Sequence, residues 1–187
     1  ESNLDNIYYQ NGEIRSSSYL RQVELNTVSA SFPFLITQLA RLHEYFFEQK
    51  KIDKIIPNNP IKHLVDTFAN EQKNYCKKES IILIVSQPGE SNLFDQIGFE
   101  QIIWDLHKIQ TVRKSLIEIY EKGYLREGHL IVEGKPVAIT YYRAGYTPND
   151  FKETRAIKGR QLIEASSTIQ VPNLSLQLSG MKKIQQV

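Results

Sequence analysis

Apolar residues along this 187-residue chain follow two rhythms, and the changes between them mark out its elements. The segment R-Q-V-E-L-N-T-V-S-A-S at 21–31 opens with strict alternation, which predicts a strand with Val23 and Leu25 on an apolar face and Glu24 and Asn26 on a polar one. Ser29 and Ser31 follow at the same spacing but opposite parity, so a bend near Thr27–Val28 would be needed to bring all four polar groups to one place. Before this strand, Asn11–Gly12 reads as a hairpin turn. After it, Leu35, Ile36, Leu39, Leu42, Phe46 and Phe47 recur at helical spacing over 35–50, a stripe expected to face the core. Asn58–Asn59–Pro60 predicts a turn and a helix start, with Ile61, Leu64, Val65 and Phe68 as a second buried stripe.

The rhythm then changes to an unbroken apolar run, Ile81–Ser86, as in the buried middle of a parallel sheet. Pro88–Gly89 ends it, and Ser91 or Asn92 is placed to cap a helix running to about Lys108, with Asp95 at the capping-box position. Thr111–Val112 reads as a short strand and Ser115–Lys122 as a short helix closed by Gly123. Leu130–Val132, the turn at 133–136 and Val137–Tyr142 predict a β-hairpin. Helices follow over 156–167 and from about Ser175, the last running to the chain end. The alternation of strands and helices predicts an α/β fold, an open and mostly parallel sheet flanked by helices, with one β-hairpin.

Composition narrows the function classes. The length suits one domain or one domain with a small appendage. A net charge of +2, with basic residues scattered in pairs such as Lys50–Lys51, Lys77–Lys78 and Lys182–Lys183, gives no nucleic-acid footprint. The longest aliphatic run is too short to cross a membrane, and the single cysteine, Cys76, forms no intrachain disulfide, which predicts a reducing compartment such as the cytosol. A chain that starts without Met and stops inside a predicted helix is expected to be part of something longer.

Three constellations carry candidate chemistry. Glu24 and Asn26, with Ser29 and Ser31, are hard oxygen donors suited to a divalent cation and a small polar ligand, although a solvated edge strand has the same pattern. Glu90, Asn92 and Gln96 follow the Ile81 strand, at the helix start where open α/β sheets gather ligands; Asn92 and Gln96 share a helix face, and plain capping by Asn92 is the alternative. Arg143, with Gly145 and Tyr146 behind it, ends a strand where its fork can meet a carboxylate while the phenol closes over it; an exposed arginine before a turn is the alternative. His43, His63, His107 and His129 show no metal-ligand spacing, and the chain has neither a phosphate-gripping glycine loop nor a G-x-S-x-G elbow.

Five blocks, in order, resemble the central portion of the eukaryotic-type glutathione synthetases: R-Q-V-E-L-N-T-V-S-A-S-F, N-N-P-I-K, E-S-N-L-F-D-Q, Y-Y-R-A-G-Y-T-P and Q-L-S-G-M-K-K-I-Q-Q. The resemblance implies the substrate-binding part of an ATP-grasp ligase that joins γ-glutamylcysteine to glycine through an acyl phosphate, in a cytoplasmic homodimer using Mg2+ and ATP as co-substrate. It implies that Glu24 and Asn26 bind magnesium, that Glu24 and Lys182 approach ATP, and that Ser29, Ser31, Glu90, Asn92, Gln96, Arg143 and Tyr146 hold the dipeptide, with no residue needed as a general base. It also implies a division into residues 1–75, part of the ATP-grasp core; 76–175, the substrate-binding domain; and 176–187, a helix leading into an ATP-grasp part beyond Val187, without which the piece is inactive. The chain departs from the family pattern at Pro33–Phe34, where a glycine pair is usual, at Ala144, where Asp is usual, and in the stretch S-N-L-D-N-I-Y-Y at 2–9, which holds no arginine where the family's R-S-D-Y-like stretch is expected. These departures keep open a non-catalytic relative retained for ligand binding or assembly; a related ligase with another amine acceptor also stays open.

Overall fold

The computed structural model describes residues 9–10, 13–14, 23–27, 31–52, 56–75 and 79–186. The Asn11–Gly12 turn, Ser29, Cys76 and the Lys77–Lys78 pair lie outside the described residues, as do Arg21, Val28 and Val187. Strands β1 (Tyr9–Gln10) and β2 (Glu13–Ile14) pair antiparallel. Helices α1 (Pro33–Gln49) and α2 (Pro60–Asn74) precede β3 (Ile81–Val85), α3 (Leu93–His107), β4 (Thr111–Lys114) and α4 (Leu116–Lys122). Strands β5 (Tyr124–Arg126), β6 (His129–Val132) and β7 (Lys135–Tyr142) follow, then a 3-10 turn at Pro148–Phe151, α5 (Thr154–Glu164), β8 (Ile169–Val171), α6 (Leu174–Ser179) and α7 (Lys182–Gln185).

The main sheet runs β4-β3-β7-β6-β5, and β8 also pairs with β7. Strands β4, β3, β7 and β8 are mutually parallel; β6 joins the start of β7 antiparallel, while β8 takes the same edge further along. The expected hairpin is thus an extension of a parallel sheet. Its loop is tighter than the four residues at 133–136: Glu133 and Gly134 turn at φ of 52° and 78°, and Lys135 and Pro136 already belong to β7.

Two cores lie on the two faces of this sheet, and the pleat of β3 sorts its residues between them. Ile82 and Ile84 pack with Val65 and Phe68 of α2 and Phe99 and Ile103 of α3. Ile81, Leu83 and Val85 pack with Ile119 of α4 and Ile163 of α5. All five β3 residues are buried, so a strand without alternation is explained by having helices on both sides.

Two expectations fail. Residues 23–27 form no strand, and Val23 and Leu25 are 93% and 51% exposed, so their alternation faces no core. In α1, only Thr37 is buried, while Ile36, Leu39, Leu42 and Phe46 are 40–51% exposed. Periodicity defines which face of a helix seeks apolar company; it does not supply the partner. What α1 does pack against is α2, where Thr37 Oγ1 accepts the Ile61 amide (3.3 Å), and α3, where the Phe34 ring lies so close to Gly98 that an added Cβ would sit 2.1 Å from it.

Candidate functional site

The parallel strands end level. The Arg143 amide donates to the Val85 carbonyl (2.8 Å) and the Ser86 amide to the Lys114 carbonyl (3.1 Å), so Arg143 stands at the carboxyl edge of the sheet beside the end of β3. Loops beyond that edge are free of the sheet's hydrogen-bond register and open to ligands.

Arg143 is buried, and its Nη1 meets Asp95 Oδ2 at 2.9 Å. The guanidinium lies 5.7 Å from the centre of the Tyr141 ring, which itself stacks on Phe68 and Phe99 in an aromatic cluster of the core. Asp95 is fully buried and also receives the backbone amides of Phe32 (2.9 Å), Phe34 (3.0 Å) and Leu35 (3.3 Å). It therefore caps the start of α1, whose own N-cap, Phe32, has left-handed backbone (φ 71°) and makes no side-chain cap. This corrects the expectation that Asp95 caps its own helix; an ion pair across 48 residues of chain satisfies it instead.

Of the predicted ligand residues, this carboxylate binds Arg143, and two others are chain neighbours of Asp95 or of an amide it holds. Ser31, half-buried, directly precedes the Phe32 amide it holds, and Gln96 is its neighbour on α3. Tyr146 Oη donates to the Arg143 carbonyl (3.2 Å), closing the loop over the strand end. Gln96 is 1% exposed, and neither its Oε1 nor its Nε2 has a hydrogen-bond partner among the described residues. An unmet buried carboxamide costs about 1–3 kcal/mol, so Gln96 stands out among the described residues as a buried polar group in need of a partner. Asn92 sits at the N-cap of α3 but makes no capping bond; Glu90 Oε1 instead accepts the Asn92 amide (2.8 Å). Plain capping by the Asn92 side chain is thereby excluded.

Glu24, Asn26 and Lys182 form a second group. Asn26 Nδ2 donates to Glu24 Oε1 (3.1 Å), and Lys182 Nζ lies 3.3 Å from Glu24 Oε2. The Asn26 amide first, and then the Lys182 ammonium, hold the Glu24 carboxyl below the usual carboxylate range. The bond to Lys182 exists because the 23–27 segment lies along α6 and α7: the Leu25 backbone and the Gln185 amide exchange hydrogen bonds of 3.3 and 2.8 Å, and Thr27 Oγ1 donates to the Leu176 carbonyl. The Glu24 side chain is exposed, and its carboxylate and the Asn26 carbonyl are hard oxygen ligands of the kind magnesium takes, although the Asn26 amide and the Lys182 ammonium occupy the carboxylate here. No group of three or more His, Cys, Asp or Glu converges among the described residues.

The two groups are not in direct contact. Between them lies a cavity of about 270 Å³ lined by Thr27, Tyr141, Tyr142, Gln170, Val171, Pro172 and Leu176, reaching from the residue after Asn26 to the residues before Arg143. A second cavity of about 310 Å³ opens on the other side of the strand ends, against Ser86, Ser115, Ala144 and Gly145. Sequence reasoning missed Asp95 as the organiser and Tyr141 and Tyr142 as cavity walls, because neither role leaves a local pattern.

Comparison with known proteins identifies the family and the fold. The profile of the family described as eukaryotic glutathione synthase matches residues 80–179. The chain is 38% identical to glutathione synthetase of Dictyostelium discoideum, 36% to the chloroplastic enzyme of Solanum lycopersicum and 33% to the Homo sapiens protein; each alignment covers 89–91% of this chain. It spans 32–38% of these curated relatives' own length. The structure of a glutathione synthetase-like effector from Globodera pallida, in apo form, superposes with a TM-score of 0.74 over 90% of this chain and 40% of that one, at 18% identity, which establishes a shared fold.

Proposed function

Because the chain belongs to the eukaryotic glutathione synthase family, we propose that it is the substrate-binding portion of an ATP-dependent ligase that joins γ-glutamylcysteine to glycine. The observation that carries this reading is Gln96, next to Asp95 in the sequence of α3 and buried with both amide atoms unmatched among the described residues. A dipeptide with an ammonium and two carboxylates supplies both the donor and the acceptor it lacks.

In this reading ATP phosphorylates the cysteinyl carboxylate, and the glycine amine displaces phosphate from the resulting acyl phosphate. The residues of this chain bind and orient. Ser29, Ser31, Glu90, Asn92, Gln96, Arg143 and Tyr146 hold the dipeptide, and Asp95 fixes the Arg143 fork so that it does not reorganise as substrate arrives. Glu24 and Asn26 would hold magnesium, whose charge screens the triphosphate against the carboxylate. Lys182, exposed beside Glu24, would add positive charge at the nucleotide. Residues 176–187 then lead into the part that supplies most nucleotide contacts. Two copies would associate through apolar surface such as that left open on α1, and the enzyme would work in the cytoplasm; no described helix is long and apolar enough to cross a membrane.

Phosphate release with ATP, Mg2+, γ-glutamylcysteine and glycine tests the proposal. The intact natural protein containing this chain should turn over, while the 187 residues alone should not. A folded intact protein that stays silent overturns the ligase reading in favour of a ligand-binding relative; turnover only with another amine identifies a different acceptor.

A further inference from the structure

Arg160 of α5 matches no motif and belongs to neither group of site residues, yet it is the most heavily committed cation among the described residues. It is 9% exposed. Its Nε donates to Glu164 Oε1 at 2.8 Å, and Nη2 lies 2.6 Å from the same oxygen. Its Nη1 donates to the Gly145 carbonyl at 3.2 Å. With its amide oxygen turned to the guanidinium, Gln177 of α6 accepts from Nη1 and Nη2 at 3.1 Å each. The flat face of the guanidinium covers the Tyr142 ring, 4.1 Å from its centre. Glu164 passes the linkage on, since Gln170 Nε2 donates to its Oε2 (3.1 Å) and Tyr142 Oη donates to Gln170 Oε1 (2.9 Å).

Every nitrogen of the fork is thus used by protein, which excludes Arg160 as a ligand hand. What it grips is informative. Gly145 lies between Arg143 and Tyr146, in the left-handed region at φ 89°, a conformation that residues with a side chain rarely adopt. Gln177 lies on α6, the helix that precedes Lys182 and receives Thr27. A lysine ammonium has the charge but not the planar fork needed to serve a carbonyl, a carboxylate, an amide and a ring together.

We propose that Arg160 is a positioning residue that clamps the Gly145 carbonyl to α6, fixing the loop that presents Arg143 and Tyr146 relative to the Glu24–Lys182 group. The proposal rests on the functional reading above only where its effect is read as turnover. In the intact protein, Arg160→Lys should raise the KM for γ-glutamylcysteine about tenfold while kcat per folded molecule changes less than about threefold, since the loop it holds carries groups read as binding the dipeptide, and loss of uniform binding raises KM alone. Gln177→Leu, a milder cut of the same clamp, should move KM in the same direction by about twofold to threefold. Hydrogen exchange provides a readout that needs no activity: amides at 144–147 and 174–180 should exchange faster in both variants, with β3 and α3 unchanged.

A folded Arg160→Lys protein with unchanged dipeptide KM, or with loop exchange unaltered, overturns the proposal. Should Arg160→Lys not fold, Gln177→Leu decides by the same two measurements. If the unsubstituted protein does not use γ-glutamylcysteine, the functional reading fails, and the exchange comparison alone decides the clamp.

Discussion

Asp95 does the work of two residues. Its carboxylate receives three amides at the start of α1 and the Arg143 guanidinium, with no exposure to water. Removing one partner of such a pair strands the other, so Asp95→Ala should cost about 3–5 kcal/mol in a urea titration. In the double variant Asp95→Ala/Arg143→Met, the stranded charge is gone, and the midpoint should recover part of the loss, leaving about 1 kcal/mol for the missing cap. Glu24 is the contrasting case. It is exposed, bonded only to Asn26 and Lys182, so Glu24→Gln should leave the urea midpoint unchanged and weaken magnesium-dependent nucleotide binding in calorimetry of the intact protein. Unfolding by that substitution would make Glu24 structural. A third residue gives a pH signature. The Lys62 ammonium, and then His107, hold the Asp66 carboxyl below its usual range across the α2–α3 contact. A depressed folded-state pKa adds stability above the unfolded value of about 3.9, and that addition is lost as pH falls through the lowered pKa. The stability difference between the unsubstituted protein and Asp66→Asn should therefore be present at neutral pH and vanish in acid.

Among the elements, α1 owes its placement to others. Its N-cap contributes no side-chain bond, its last turn has no basic residue, and its anchors are Asp95 and the Phe34–Gly98 contact. In an isolated helix Gly98→Ala would gain up to about 1 kcal/mol. Here the new Cβ would meet three Phe34 ring atoms at 2.1–2.5 Å, so the substitution should destabilise by about 1–3 kcal/mol. Phe34→Leu in the same protein should reverse the sign, because the ring is then absent; thermal unfolding of the two variants reads this directly. By contrast, α4 is locally specified. Ser115 Oγ accepts the Glu118 amide (3.2 Å) and Glu118 Oε2 accepts the Ser115 amide (2.8 Å), a reciprocal box readable from S-L-I-E alone. Elements of the first kind are misjudged from sequence and those of the second kind are not. The α1 stripe reads as core, and the 23–27 alternation reads as a strand, because each pattern is real while its expected partner is absent from the described chain.

For the whole molecule, the exposed apolar residues fall in sets: Ile36, Leu39, Leu42 and Phe46 on α1, and Leu174, Leu176, Leu178, Met181 and Ile184 on α6 and α7. A chain that spans about a third of its relatives has reason to carry such faces. If α1 joins two copies, Leu39→Glu/Leu42→Lys should convert the intact protein from dimer to monomer in light scattering without lowering its melting temperature; a dimer that persists places the interface elsewhere. A mostly parallel sheet flanked by helices, with β3, β4, β6 and β7 and most helix bounds, was legible beforehand, since hydrophobic period and turn chemistry are local properties that short segments carry by themselves; the three-residue strands β5 and β8 and the break between α6 and α7 were not. The residue types of the candidate site were legible too, Glu24 through Tyr146, as was their likeness to a family. Tertiary structure alone decided which of them meet: it joined Arg143 to Asp95 and Glu24 to Asn26 and Lys182, left Gln96 buried and unmatched among the described residues, and placed Arg160 between Gly145 and Gln177. Ion pairs and clamps join residues tens of positions apart, and their energy depends on distance and burial, quantities that exist only once the chain has folded.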